Sequence, residues 1–131
     1  MYLPKILVAT PTYEGKNYCL KEFIHNVNQF SYPKSRMDFM IFDNSKTPDN
    51  AKYINKTFDV KVHWKDHTGK GVIEKLALTH EAIRLHAINN KYDYLLHLES
   101  DVFPQKDVIE QLLWTRKNTV GVPYMLFGGG Q

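Results

Sequence analysis

Two rhythms of apolar residues alternate along this chain. Residues 5–10 form a near-continuous apolar run that stops at Pro11, the pattern of a buried strand. Residues 17–30 follow with Leu20, Phe23, Ile24, Val27 and Phe30 at helical spacing, Asn17 as the expected N-cap and Ser31-Tyr32-Pro33 as the stop. Residues 37–42 are a second apolar strand, closed by Asp43-Asn44-Ser45. Thr47-Pro48-Asp49 starts a short helix through about Asn55. Residues 60–64 alternate like a third strand, and Gly69-Lys70-Gly71 leads into a long helix. On that helix Ile73, Leu76, Ala77, His80, Ile83 and Ala87 form one stripe. Residues 92–98 are a fourth strand, read as buried. Residues 106–116 are a helix with Val108, Ile109, Leu112 and Leu113 inward, and residues 119–124 are a fifth strand.

Strands that are apolar throughout, each followed by a helix, predict an α/β fold. The expected sheet is open and mostly parallel, with helices on both faces and strand order 3-2-1-4. In such sheets ligands bind beyond the carboxyl ends of the strands, where the strand order reverses. Here the apolar strands run into polar ends: Thr10-Pro11-Thr12-Tyr13-Glu14-Gly15 at the first, Asp43-Asn44-Ser45 at the second, Glu99-Ser100-Asp101 at the fourth. Packing alone does not require three such ends, so they are the candidate site.

Each end carries a specific chemistry. Residues two apart in an extended segment point the same way, so Glu99 and Asp101 can aim at one cation. Mn²⁺ and Mg²⁺ take oxygen ligands and share them with substrate phosphates. The alternative is a solvated acidic turn in which Ser100 or Asp101 caps the next helix. Asp43 can accept hydrogen bonds from a nucleobase or ribose, or close an Asx-turn. Tyr13 can stack on a base or cover the sheet edge. Lys70, in a glycine-flanked loop before a helix, can reach a phosphate, although the chain has no P-loop pattern. Among the histidines, His63 and His67 share no helix face, and His80 and His97 read as packing residues, as do Trp64 and Trp114.

Composition narrows the picture only a little. The chain has 131 residues, 43% hydrophobic and 24% charged, which suits one soluble domain. Its net charge of +3 comes from dispersed lysines, so no nucleic-acid partner is expected. One cysteine, Cys19, excludes an intrachain disulfide. No run approaches the length of a membrane span, and the N-terminus lacks a leader pattern, so a cytoplasmic location is expected.

Taken in order, these pieces resemble family 2 glycosyltransferases of the GT-A fold. The matching segments are Ile6-Leu7-Val8-Ala9-Thr10-Pro11-Thr12-Tyr13-Glu14, Phe42-Asp43-Asn44-Ser45, the long helix, and residues 94–104 around Glu99-Ser100-Asp101. The resemblance implies that Pro11 and Tyr13 border the base of a nucleoside-diphosphate sugar and that Asp43 holds it. It further implies that Asp101 ligates Mn²⁺ or Mg²⁺. Glu99 stands where the family's D-x-D motif commonly has aspartate. The family's acceptor-binding half and catalytic base lie further along than this chain reaches. A single nucleotide-sugar-binding domain without the acceptor half is therefore expected, with an unidentified acceptor, an exposed apolar surface that favours self-association, and an irregular Gly128-Gly129-Gly130. Two other readings stay open: a non-catalytic nucleotide-sugar-binding module, and a flavodoxin-like protein-interaction domain.

Overall fold

The computed structural model describes residues 3–121. Four strands form one all-parallel sheet: β1 (Ile6–Thr12), β2 (Met37–Asp43), β3 (Lys61–Trp64) and β4 (Tyr94–His97). Their order is β3-β2-β1-β4, as the pattern of apolar runs implied. Four helices connect or follow them: α1 (Asn17–Asn28), α2 (Asp49–Phe58), α3 (Val72–Asn89) and α4 (Val108–Trp114). Short 3-10 turns at Glu14–Lys16 and Lys34–Arg36 precede α1 and β2.

Strand parity divides the core. Ile6 and Val8 of β1 pack with Phe23 and Val27 of α1 and with Val108 and Ile109 of α4. Ile41 of β2 joins Leu20, Ile24 and Ile54, which seats α2 on the same face. Leu7, Ala9 and Phe42 turn the other way, onto Ile83 and Ala87 of α3. Every residue of β1 is buried, because it is central and covered on both faces. Each fully buried Phe, Leu or Ile contributes about 1.5–3 kcal/mol of transfer free energy.

Several expectations are corrected. Asn17 is the first residue of α1 rather than its cap, and Lys16 occupies the cap position. α2 runs on to Phe58 and ends at Asp59, which adopts the left-handed conformation (φ 51°). α4 is shorter at both ends than the expected residues 106–116. Only the C-terminal half of the α3 stripe is covered: Ile83 and Ala87 are buried, whereas Ile73 is 84% exposed and Leu76 and His80 also face outward. β4 is an edge of the described sheet, with Tyr94 and Leu95 exposed, so it is not the buried strand expected. Trp114 is 82% exposed and packs nothing down. Residues 119–121 are not in a strand, and the rest of the expected fifth strand and Gly128-Gly129-Gly130 lie outside the described residues. Among the described residues no helix is long and apolar enough to cross a membrane.

The strand ends differ in length, and this shapes the site. β1 and β2 stay paired through Thr12↔Asp43. β1 and β4 pair only through Ala9↔His97, and the last bond between them runs from the Leu98 N–H to the Ala9 carbonyl. Beyond that rung β1 keeps its β2 partner and has left β4. β1 is also where the order reverses, since β2 and β3 lie on one side of it and β4 on the other.

Candidate donor and metal site at the strand ends

The end of β2 is fixed by a hydrogen-bonded relay. Asp43, 3% exposed, accepts at Oδ1 from Ser45 Oγ (2.8 Å) and Asn50 Nδ2 (3.1 Å). Ser45 Oγ in turn accepts from the Glu14 N–H (2.9 Å), and the Ser45 carbonyl accepts from Trp64 Nε1 (2.8 Å). Asn50 Oδ1 accepts from Asn17 Nδ2 (2.7 Å). The Asn44 N–H donates to the Thr12 carbonyl (2.9 Å), extending the β1–β2 ladder by one rung. Asn17 therefore reaches sideways to α2 instead of capping its own helix.

Asp43 Oδ2 is buried and accepts no hydrogen bond from the protein. Burial pushes its carboxyl above the usual aspartate range; the Ser45 and Asn50 hydrogen bonds pull it partly back, and the charge of Glu14 adds to the rise. Thr10 Oγ1, Asn17 Oδ1 and Ser100 Oγ are likewise buried without a protein partner. These four atoms belong to the outgoing ends of β1, β2 and the β4 segment and to the first residue of α1. Buried polar atoms are nearly always satisfied, and these four exceptions gather near the carboxyl ends of the strands, while Asn26 Oδ1 and His67 Nδ1 are exceptions elsewhere.

The end of β4 carries the acidic triplet. Lys16 Nζ lies 3.7 Å from Glu99 Oε2 and 3.9 Å from Asp101 Oδ2. The two carboxylates thus face one positive charge, as two ligands of a divalent cation do. An all-oxygen donor pair is of the kind that Mn²⁺ or Mg²⁺ takes. Ser100 between them is fully buried, and its carbonyl accepts from Cys19 Sγ (3.3 Å) on α1. The capping alternative is excluded for both Ser100 and Asp101, since the next helix begins at Val108 with Asp107 before it. The Glu99 carboxyl is held below its usual range, chiefly by the His97 imidazole, whose Nε2 is 3.6 Å from Oε1.

A divalent cation bound by these two carboxylates would compete with Lys16 for them. Each half-exposed ion pair is worth under about 1 kcal/mol, so Lys16→Ala is expected to raise Mn²⁺ affinity of the nucleotide-free chain by a factor of about three to ten. Calorimetric titration checks this; an unchanged or weaker affinity places the ammonium elsewhere in solution.

The remaining expected residues fall as follows. Pro11 and Thr12 are buried at the end of β1. Tyr13 is 47% exposed, with its ring lying over Gly15, where a Cβ would come within 2.4 Å of it. Glu14 is exposed. Lys70 pairs with Glu74 (3.3 Å) and lines a cleft of about 280 Å³ with Ser45, His67, Thr68 and Lys75. Its loop therefore meets the β2 end at Ser45. A larger cleft, about 470 Å³, includes Lys5, Asp38 and Tyr92 at the opposite, N-terminal end of the sheet, away from this chemistry. Lys16 and Asn50 were not foreseen, and Ser45 was read only as part of the strand end. The segment Glu14–Lys16 joins the two halves of the site, touching Ser45 through Glu14 and the acidic pair through Lys16.

No family model and no curated protein sequence matches the chain. Solved structures do. A mannosyltransferase, PcManGT from Pyrobaculum calidifontis in complex with GDP-Man and Mn²⁺, superposes with a TM-score of 0.60 at 19% identity, over 92% of this chain and 34% of that one. TarS from S. aureus gives 0.57 at 15% identity, over 91% of this chain and 23% of that one. Its residues 1–349 in complex with UDP-GlcNAc give 0.53 at 16%, over 92% and 37%. The chain therefore spans well under half the length of each of these proteins, and what it shares with them is the fold, the GT-A-like α/β sheet that the sequence resemblance implied.

Proposed function

We propose that this chain binds a nucleoside-diphosphate sugar together with Mn²⁺ or Mg²⁺, as the donor-binding part of a metal-dependent glycosyltransferase. The observation that carries the reading is the set of unsatisfied buried oxygens at the ends of β1, β2 and β4, beside two carboxylates that face one cation. Structural neighbours that hold GDP-Man with Mn²⁺ or UDP-GlcNAc support it.

In this reading Pro11, Thr12, Tyr13 and Glu14 border the nucleoside, and Asp43 Oδ2 accepts from the base or ribose. Asn44 and Ser100 line the same crevice, and Lys70 approaches the diphosphate from its loop. Asp101, with Glu99, holds the metal. A bound cation offsets the charge that develops on a departing diphosphate. The chain's own residues orient the donor and keep its base in place; the acceptor and the general base are not assigned.

A thermal-shift screen of UDP, GDP, CDP and dTDP, each with and without Mn²⁺, tests the reading. A ligand at 100 times its dissociation constant stabilises the fold by about 2.7 kcal/mol. For a domain of this size that raises Tm by roughly 10 °C. One diphosphate should show this shift with metal present and lose most of it in EDTA. A flat response to all four sinks the donor-binding reading. Donor hydrolysis under Mn²⁺ then separates a catalytic chain from a pure binder.

A further inference from the structure

Parity on β4 gathers a second set of ligands. Leu96 and Leu98 turn toward α1 and α4, so His97 and Glu99 turn toward α3. His80 comes from α3 to meet them, its ring 4.7 Å from that of His97 in an edge-to-face arrangement. One ligand atom from each of His80, His97 and Glu99 lies within 4.8 Å of the other two. Among the described residues no other group of histidine, cysteine or acidic side chains converges in this way.

We propose that His80, His97 and Glu99 form a second metal site, of the nitrogen-rich class that takes zinc, with Glu99 shared between the two sites. The two oxygens of Glu99 face different ways: Oε2 toward Lys16 and the Asp101 side, Oε1 toward His97. Two imidazoles and one carboxylate are a borderline-soft set that favours Zn²⁺ over Mn²⁺ or Mg²⁺. Tetrahedral zinc with bonds near 2.0–2.1 Å needs ligand atoms roughly 3.3 Å apart, so the trio closes by small side-chain rotations. The backbones that carry it are fixed: His97 is the last paired residue of β4, and His80 is flanked by buried Thr79 and Ile83 on α3. Both histidines are exposed, so the ion has a path in and the fourth position stays open to water or a small ligand. The longer glutamate in place of aspartate fits this arrangement, since it reaches toward α3 from a strand end that otherwise serves Asp101.

The test is calorimetric titration of the 131-residue chain with ZnCl₂ and with MnCl₂, repeated on His80→Ala, His97→Ala, Asp101→Ala and, as a surface control, His25→Ala. One zinc per chain is expected, weakened by about tenfold or more in the His80 and His97 variants and by less than about threefold in the other two. Co²⁺ should give a ligand-field absorption band that both histidine variants lose. His80→Asn and His97→Asn keep size and polarity and guard against misfolding, read by circular dichroism. Zinc affinity within about threefold of the parent in either histidine variant overturns the proposal, as does zinc binding that only His25→Ala removes. Mn²⁺-dependent nucleotide binding is followed in the same samples. In the unsubstituted chain, no Mn²⁺-dependent nucleotide binding beside intact zinc binding defeats the donor-binding reading and leaves this one standing, and no zinc binding beside intact nucleotide binding does the reverse.

Discussion

Asp101→Ala is expected to lower Mn²⁺-dependent nucleoside-diphosphate affinity by about 100-fold or more while leaving the circular dichroism spectrum unchanged. Losing a mere neighbour of a metal ligand already costs 10–100-fold, so losing a ligand should cost at least the upper end of that range. The fold should survive because Asp101 is half exposed, caps no helix and touches only Lys16 among charged groups. Its ion pair with Lys16 is half exposed and worth under about 1 kcal/mol, so the apo protein should melt within a few degrees of the parent. In EDTA the variant and the parent should bind nucleotide alike. A variant that unfolds, or that keeps its full response to Mn²⁺, removes Asp101 from the metal site.

Asp43→Asn should separate binding from stability. The Asp43 carboxyl is held above the ordinary aspartate value of 3.8, mainly by burial. A raised acid means that the folded state binds its proton more tightly than the unfolded state does. The associated stability is fully present below about pH 3.8 and is lost as pH climbs through the raised value. At pH 7 the parent therefore carries the whole cost of a buried charge. The asparagine keeps an oxygen for Ser45 and Asn50 and removes that charge. Its Tm should match or exceed the parent's by a few degrees at pH 7, on the order of 1 kcal/mol, with the gap closing toward pH 3. Nucleotide affinity should fall by about tenfold or more, with metal and without, because an amide NH₂ replaces the acceptor Oδ2. Differential scanning calorimetry across pH, paired with a nucleotide titration, reads both. Equal binding by the asparagine variant would falsify the role given to Asp43.

The sheet was legible because its central strands are written as near-continuous apolar runs. β1 is buried along its whole length, and β3, which opens on exposed Lys61, falls at an edge. The site was half legible. Asp43 and the Glu99-Ser100-Asp101 triplet stand out as polar residues at the ends of apolar strands. Their partners do not, because they come from far along the chain: Asn17 reaches Asn50 across 33 residues, and Lys16 reaches the triplet from another strand's loop. Helical periodicity shows that α3 has an apolar side and says nothing of what covers it; Ile73 and Leu76 share the stripe of Ile83 and meet no strand. His80 and His97 read as packing residues for the same reason. Parity on β4 does place His97 beside Glu99, but the approach of α3 is a tertiary fact.

The early parting of β1 and β4 separates what holds the scaffold from what can change without disturbing it. Every residue that holds the sheet together lies at or before the Ala9–Leu98 rung and the Thr12↔Asp43 pair, and most of the site hangs beyond them. An exchange in Tyr13 or Glu14, or in the triplet after Leu98, breaks no rung of the ladder. The chemistry at these ends can therefore change while the scaffold persists, and the solved structures that share this fold do so at only 15–19% identity.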